Sequence, residues 1–159
     1  MLRSAQVVIL AWVAMWASAS AGDDSGARLK IGNVDNDLRS NGGCALQLPS
    51  QYARKEGRFV FTSDLEKRGL VNVNGADIPV TLIRSTEGGQ KHKPTIGERS
   101  TFWYRGGEVE VRVDYVVTGV CPHQSESCGV TYYDAILTIT RGKANKTVAA
   151  KGACGSQSR

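Results

Sequence analysis

The chain has 159 residues, of which 41% are hydrophobic and 22% charged, with a formal net charge of +5. This composition excludes a collagen-like or wholly disordered chain, and the length suits a single domain. A basic excess this modest and this scattered favours solubility and attraction to acidic surfaces. It does not describe a nucleic-acid groove, and no nucleic-acid partner is expected.

The N-terminus reads as a targeting segment. Met1-Leu2-Arg3 is a short positive start, the apolar run Ala5 to Ala17 follows, and two overlapping A-x-A sites occupy Ala17-Ser18-Ala19 and Ala19-Ser20-Ala21. That is the three-part plan of a secretory signal peptide, and its apolar run is too short to span a bilayer comfortably. The expected organisation is a signal peptide over 1–21, a flexible leader over 22–43, one β domain over 44–155 and a tail over 156–159. The mature protein is then periplasmic or secreted, with no membrane span.

In such a compartment the four cysteines, Cys44, Cys121, Cys128 and Cys154, read as two disulfides with three possible connectivities. Geometry favours Cys121 with Cys128, which flank a polar turn, and Cys44 with Cys154, which stand near the two ends of the patterned region. By chain entropy the long loop contributes roughly 4 to 5 kcal/mol and the short one about 2.5 kcal/mol. Two sharper readings of this segment fail on spacing and ligands. Cys121-Pro122-His123 shares its first three residues with the C-P-H-C site of disulfide oxidoreductases, but Gln124 stands where the second Cys belongs. A zinc site on Cys121, His123 and Cys128 lacks a fourth ligand, so no metal is assigned.

In chain order, Ala45-Leu48 is a short apolar stretch ended by Pro49-Ser50, and Arg58-Ser63 is a strand rich in aromatic and β-branched residues. Asp64-Gly69 is a charged turn, with room for one short helix around Ser63-Arg68. Leu70-Val73 and Asp77-Ile83 flank Asn74-Gly75, the strongest short hairpin signal, and Pro79 in the second arm belongs at an edge or bulge. Thr86 to Glu98 is a loop. Thr101-Tyr104 is the next strand, with Phe102 and Trp103 read as core and Gly106-Gly107 as a turn. Glu108 to Thr118 alternates cleanly, with Val109, Val111, Val113, Tyr115 and Val117 on one face. Tyr133, Ala135, Leu137 and Ile139 repeat the pattern, and Lys146-Lys151 is a last short strand. The fold class is all-β: an antiparallel sandwich or small barrel of about eight strands, stapled by disulfides.

Nothing here carries catalytic chemistry. Nucleophile-elbow, H-E-x-x-H, P-loop and dinucleotide patterns are absent, and only His92 and His123 are present. Glu108, Glu110, Asp114 and Asp134 fall on outward strand positions, as a solvated face with partners such as Arg112 requires. No catalytic residue and no cofactor is assigned; a small hydrolase of an envelope polymer is an alternative with no residues behind it. Asn145-Lys146-Thr147 fits an N-glycosylation sequon, relevant only to a eukaryotic source. The candidate binding surface is the basic, glycine-containing loop with Lys91, His92 and Lys93, flanked by Arg84 and Arg99. Its charge suits an acidic partner, such as an envelope protein, and His92 would make binding pH-dependent.

Two family resemblances add expectations. Gly42-Gly43-Cys44, the Asn72-Val73-Asn74-Gly75 turn, Val111-Arg112-Val113-Asp114-Tyr115, the Cys121/Cys128 pair, Val130 to Ala135 and Lys151-Gly152-Ala153-Cys154-Gly155 together resemble a group of small exported bacterial proteins of unknown function. This likeness implies an exported β domain and no activity. Phe102-Trp103-Tyr104-Arg105-Gly106-Gly107-Glu108-Val109 is similar to the F-W-x-K-G-x-x-A strand of the periplasmic and membrane-bound inhibitors of c-type lysozyme, which are small β-barrels. Their S-G-x-x-Y motif is poorly met, since Thr86 follows Ser85. This second resemblance implies lysozyme as partner and occlusion as mechanism. A loop carrying Ser85 and a cation such as Arg105 would enter the lysozyme cleft, with Trp103 holding it rigid.

Overall fold

A computed structural model describes residues 28–39, 42–64, 67–87, 93–121 and 129–155. The signal segment, the start of the leader and the C-terminal tail lie outside the described residues, as do Lys91, His92, His123 and Cys128.

Alternating sequence builds an almost entirely β molecule. Among the described residues nine strands form: β1 (Ile31–Gly32), β2 (Gly43–Gln47), β3 (Phe61–Ser63), β4 (Arg68–Val73), β5 (Ala76–Ser85), β6 (Arg99–Gly106), β7 (Val109–Val120), β8 (Val130–Arg141) and β9 (Ala144–Gly155). All neighbours are antiparallel, in the order β4-β3-β2-β9-β8-β7-β6-β5, and β5 pairs back onto β4. Eight strands therefore close a barrel, which resolves the sandwich-or-barrel alternative, and β1 is one strand more. Closure leaves few exposed edges, the chief aggregation hazard of an open sheet.

The inward face is the one the alternation marks. Val109, Val111, Val113, Tyr115 and Val117 of β7 are buried, and so are Ala135, Leu137 and Ile139 of β8. All of these but Val117 meet Leu46, Phe61, Val71 and Val80 from the other wall in one core. The β4–β5 turn has Asn74 at φ 54° and Gly75 at φ 87°, the two positive values a two-residue hairpin demands. Pro79 costs the β4 ladder nothing. Leu82 N–H donates to Lys67 O (2.8 Å), so hydrogen-bonded pairs alternate from there and Leu70–Pro79 falls on a non-bonded pair.

Three expectations need correction. First, the domain begins before Cys44. Leu29 is buried in the core and β1 pairs with Val73 and Asn72 of β4, so the later part of the supposed flexible leader is part of the fold. The physical reason is a vacancy on β4: β3 covers only Gly69 to Val71, and β1 continues the same edge. Second, the helix among the described residues is α1 (Pro49–Arg54); of the span Ser63–Arg68, Ser63 belongs to β3 and Arg68 to β4, and Leu65 and Glu66 lie outside the described residues. Pro49 begins it, where a missing N–H is harmless. Gln51 Oε1 accepts Leu48 N–H at 3.1 Å, and Gln51 Nε2 donates to Asn33 Oδ1 at 2.8 Å. Asp64 instead closes the β3–β4 connection by accepting Arg68 N–H at 2.9 Å. Third, β9 runs the full 12 residues from Ala144 rather than the short Lys146–Lys151 span.

The chain ends of the domain meet as the cysteines imply. β2 pairs with β9, placing Cys44 opposite Cys154, and the two form a disulfide with S–S 2.0 Å across 110 residues. Cys121 is also disulfide-bonded, and no described cysteine is free; its expected partner Cys128 lies outside the described residues.

Candidate interaction face on the outside of the barrel

Strand register decides which side chains become neighbours outside the barrel. On β6, Phe102 turns toward the core and Tyr104 is buried, so Trp103 and Arg105 between and beyond them point outward. Trp103 is therefore not a core residue. Adjacent strand residues face opposite ways, and Phe102 takes the inside.

Trp103 sits in a row with Arg84 of β5, Arg112 of β7 and Thr138 of β8. The Arg84 guanidinium lies 3.8 Å from the indole ring centroid and that of Arg112 lies 5.7 Å away. Such cation–π contacts contribute about 0.5–1 kcal/mol each at exposed positions and hold the ring upright. Arg112 is fixed in turn, donating from Nη2 (2.8 Å) and Nε (3.1 Å) to Asp114 Oδ1, which also accepts Thr101 Oγ1 at 2.7 Å.

Arg112 separates two hollows. The larger, about 490 Å³, is floored by Ile136 and Ala149 and walled by Pro49 of α1, with Arg99 and the Lys151–Asp134 ion pair at its far end. The smaller, about 190 Å³, lies between Trp103 and the Thr138–Thr140 side, with Ile83 at its rim. Ile136 is 43% exposed and Ile83 56% exposed, each bordering one of the two hollows. An apolar floor, an aromatic ring and arginines in one place are the side chains enriched at protein–protein contacts.

The candidate residues distribute unevenly. Arg99 and Trp103 belong to this face. Arg105 is exposed beside it, with Nη2 2.6 Å from Glu110 Oε1. Lys93 is exposed on the 93–98 stretch, and Lys91 and His92 lie outside the described residues. Ser85 is half-buried, its Oγ donating to Glu87 O at 3.4 Å. Ser85 pairs with Phe102 whereas Arg105 pairs with Thr81, so they occupy opposite ends of the β5–β6 ladder. No one loop carries both, contrary to the arrangement the lysozyme-inhibitor resemblance implies.

The outward carboxylates are engaged in ion pairs: Glu110 with Arg105, Asp114 with Arg112, Asp134 with Lys151, and Glu108 with Arg141 at 3.8 Å. Among the described residues no three His, Cys, Asp or Glu side chains form a metal-holding group, and no helix is long and apolar enough to cross a membrane. Sequence reading missed Ile83, Ile136 and Ala149 as members of a site. Ile136 and Ala149 are apolar residues in an outward register and Ile83 sits at the β5–β6 register shift, none of them meaningful until β5 to β9 are aligned. No family model, curated protein or solved structure matches the chain.

Proposed function

We propose that the protein is a non-catalytic, exported β-barrel that binds a partner at the cell envelope through the outside of β5 to β9. The observation that carries this reading is the Arg84–Trp103–Arg112 stack set between two hollows with exposed isoleucines. Among the described residues Arg84 and Arg99 pair with no carboxylate, so the face keeps positive charge to spare. The partner is accordingly a protein with an acidic surface and an apolar anchor that fills the larger hollow. Export is supported by the signal-like N-terminus and by a disulfide-closed domain.

Site-specific photo-crosslinking tests this in the producing cells. A benzophenone side chain at Ile136 is expected to give one discrete adduct, lost when Arg112→Glu is added, while the same group at Arg58 gives none. Equal labelling from both positions, or none from Ile136, contradicts the reading. For the isolated complex, Trp103→Ala is expected to weaken binding about tenfold or more, the scale of a central aromatic anchor.

Lysozyme inhibition is the alternative, resting on the exposed Arg105 of a small barrel. The separation of Ser85 from Arg105 weighs against it. Lysis by c-type lysozyme is expected to be unchanged at micromolar protein; a block of lysis would replace the first reading.

A further inference from the structure

The Asn74-Gly75 pair that turns β4 into β5 carries a second chemistry. In an asparagine followed by glycine, the glycine's backbone nitrogen attacks the side-chain amide carbon more readily than elsewhere, because no Cβ obstructs the approach. Both residues are exposed, and beyond its chain neighbours nothing stands within 4 Å of where a Gly75 Cβ would be, so water reaches the peptide. The chain has one other Asn-Gly pair, Asn41-Gly42, whose asparagine lies outside the described residues.

The fold does not leave Asn74 free to react. Its side-chain Oδ1 accepts the Lys30 backbone N–H at 2.9 Å, and its own backbone N–H donates to Lys30 O at 2.9 Å. These two bonds clasp the turn to the residue just before β1. The backbone is held as well: φ is 54° at Asn74, in the left-handed region that a two-residue hairpin uses. Closing a ring between Asn74 Cγ and Gly75 N needs the side-chain amide swung over the following peptide and the Asn74 ψ carried out of that region. The first movement breaks the clasp and the second breaks the turn. What maintains the clasp is local. β1 pairs Ile31 with Val73 and Gly32 with Asn72, and Leu29 before it is buried in the core. Such a short strand opens far more often than the closed barrel does.

We propose that Asn74 is a deamidation site gated by the N-terminal segment, protected while Lys30 is docked and reactive when β1 lifts. The Gly75 nitrogen gives up its proton to hydroxide and bonds to Asn74 Cγ; the Cγ–Nδ2 bond breaks and ammonia leaves. Water then opens the five-membered imide. Opening at Cγ gives aspartate and opening at the main-chain carbonyl gives isoaspartate, so in sum a water enters and an ammonia departs. The two products differ in consequence. Aspartate keeps a side-chain oxygen for the Lys30 N–H. Isoaspartate routes the main chain through Cγ and adds a methylene to a turn built for two residues, which holds β1 off its site. The reaction needs no partner and is independent of the binding face proposed above.

The experiment follows Asn74 by peptide mapping and mass spectrometry while the oxidised chain is incubated in mildly alkaline buffer, with the reduced, guanidinium-unfolded chain as reference. The folded protein is expected to deamidate at Asn74 at least about tenfold more slowly than the unfolded one, as intermittent local opening requires. In Gly32→Val the new Cβ would stand 2.3 Å from Asn72 Oδ1 in the docked state, so β1 is expected to lift and Asn74 to react at least about fivefold faster than in wild type. Near-ultraviolet circular dichroism and an intact Cys44–Cys154 bridge verify its barrel, and should it not fold, Leu29→Ala is expected to accelerate Asn74 in its place. Gly152→Ala, which strains the β2–β9 pair instead, is expected to leave Asn74 as slow as in wild type. Four results overturn the proposal: equal rates in folded and unfolded wild type, no product at Asn74 in the unfolded chain, no acceleration in a folded β1 variant, or acceleration by Gly152→Ala equal to that by the β1 variant. The last would mean that unfolding of the whole barrel, not lifting of β1, exposes Asn74.

Discussion

The Asp77 carboxylate joins the N-terminal segment to the first hairpin. Its Oδ2 accepts the backbone N–H of Asp35 (2.9 Å) and of Asn36 (3.3 Å), and its Oδ1 accepts Asn72 Nδ2 (2.8 Å). Burial works to raise this carboxyl, but the Asn72 amide and the two backbone donors outweigh it and hold it below the ordinary 3.8. A depressed folded value stabilises the protein above the unfolded value and ceases to do so as pH falls through the folded one. Asp77→Asn is therefore expected to cost about 1 kcal/mol at pH 7, discounted for solvent exposure, and less at an acid pH below 3.8, where the folded carboxyl is itself being protonated. Urea midpoints of both proteins at the two pH values check this. At this scale the sequence is legible where alternation is strict, as along Val109 to Val117, whose inward face is the buried one. It is illegible where two aromatics adjoin. Phe102 and Trp103 look alike as hydrophobes, and only the pairing of β6 with both neighbours settles which faces in.

Among the elements, β1 and α1 are the ones sequence pattern hid. β1 is two residues in a polar, glycine-containing stretch, and it exists because β3 leaves the end of β4 unpaired. Tertiary vacancy, not propensity, makes it a strand. Leu29 just before it is 5% exposed, so Leu29→Ala is expected to destabilise by about 3 kcal/mol, within the range for buried leucines. A leader that only trailed from the domain would show no change in the denaturation midpoint. The β2–β9 pair makes a second demand. A Cβ at Gly152 would fall onto the Ala45 carbonyl oxygen, so the two backbones approach as only glycine permits. Gly152→Ala is expected to lower stability by at least about 2 kcal/mol and to slow formation of the adjacent Cys44–Cys154 bridge, measurable by thiol quenching during refolding. The pairing of β2 with β9 was legible through its cysteines; the closure of β4 on β5 into a barrel was not, because a hairpin reads the same in an open sheet.

For the molecule as a whole, a closed barrel with cross-linked ends leaves function to its surfaces. The proposed binding face draws scattered residues from β5, β6, β7, β8, β9 and α1, spanning 49–151, which is why no contiguous motif announces it. Arg112 is the partner of an outward acid that the sequence suggested, through Asp114, and the barrel also brings it and Arg84 to one indole, that of Trp103. The bridge spanning 110 residues is expected to contribute about 4–5 kcal/mol, so the Cys44→Ala/Cys154→Ala protein should unfold at markedly lower denaturant than wild type. Everything rests on maturation in an oxidising compartment, where cysteine serves as covalent closure rather than as a reactive group. Alkylation of the protein in its producing cells, before and after reduction, measures this directly. The account expects a chain shortened by its N-terminal signal, with no thiol labelled until reductant exposes all four. A full-length chain, or thiols labelled without reductant, would contradict it.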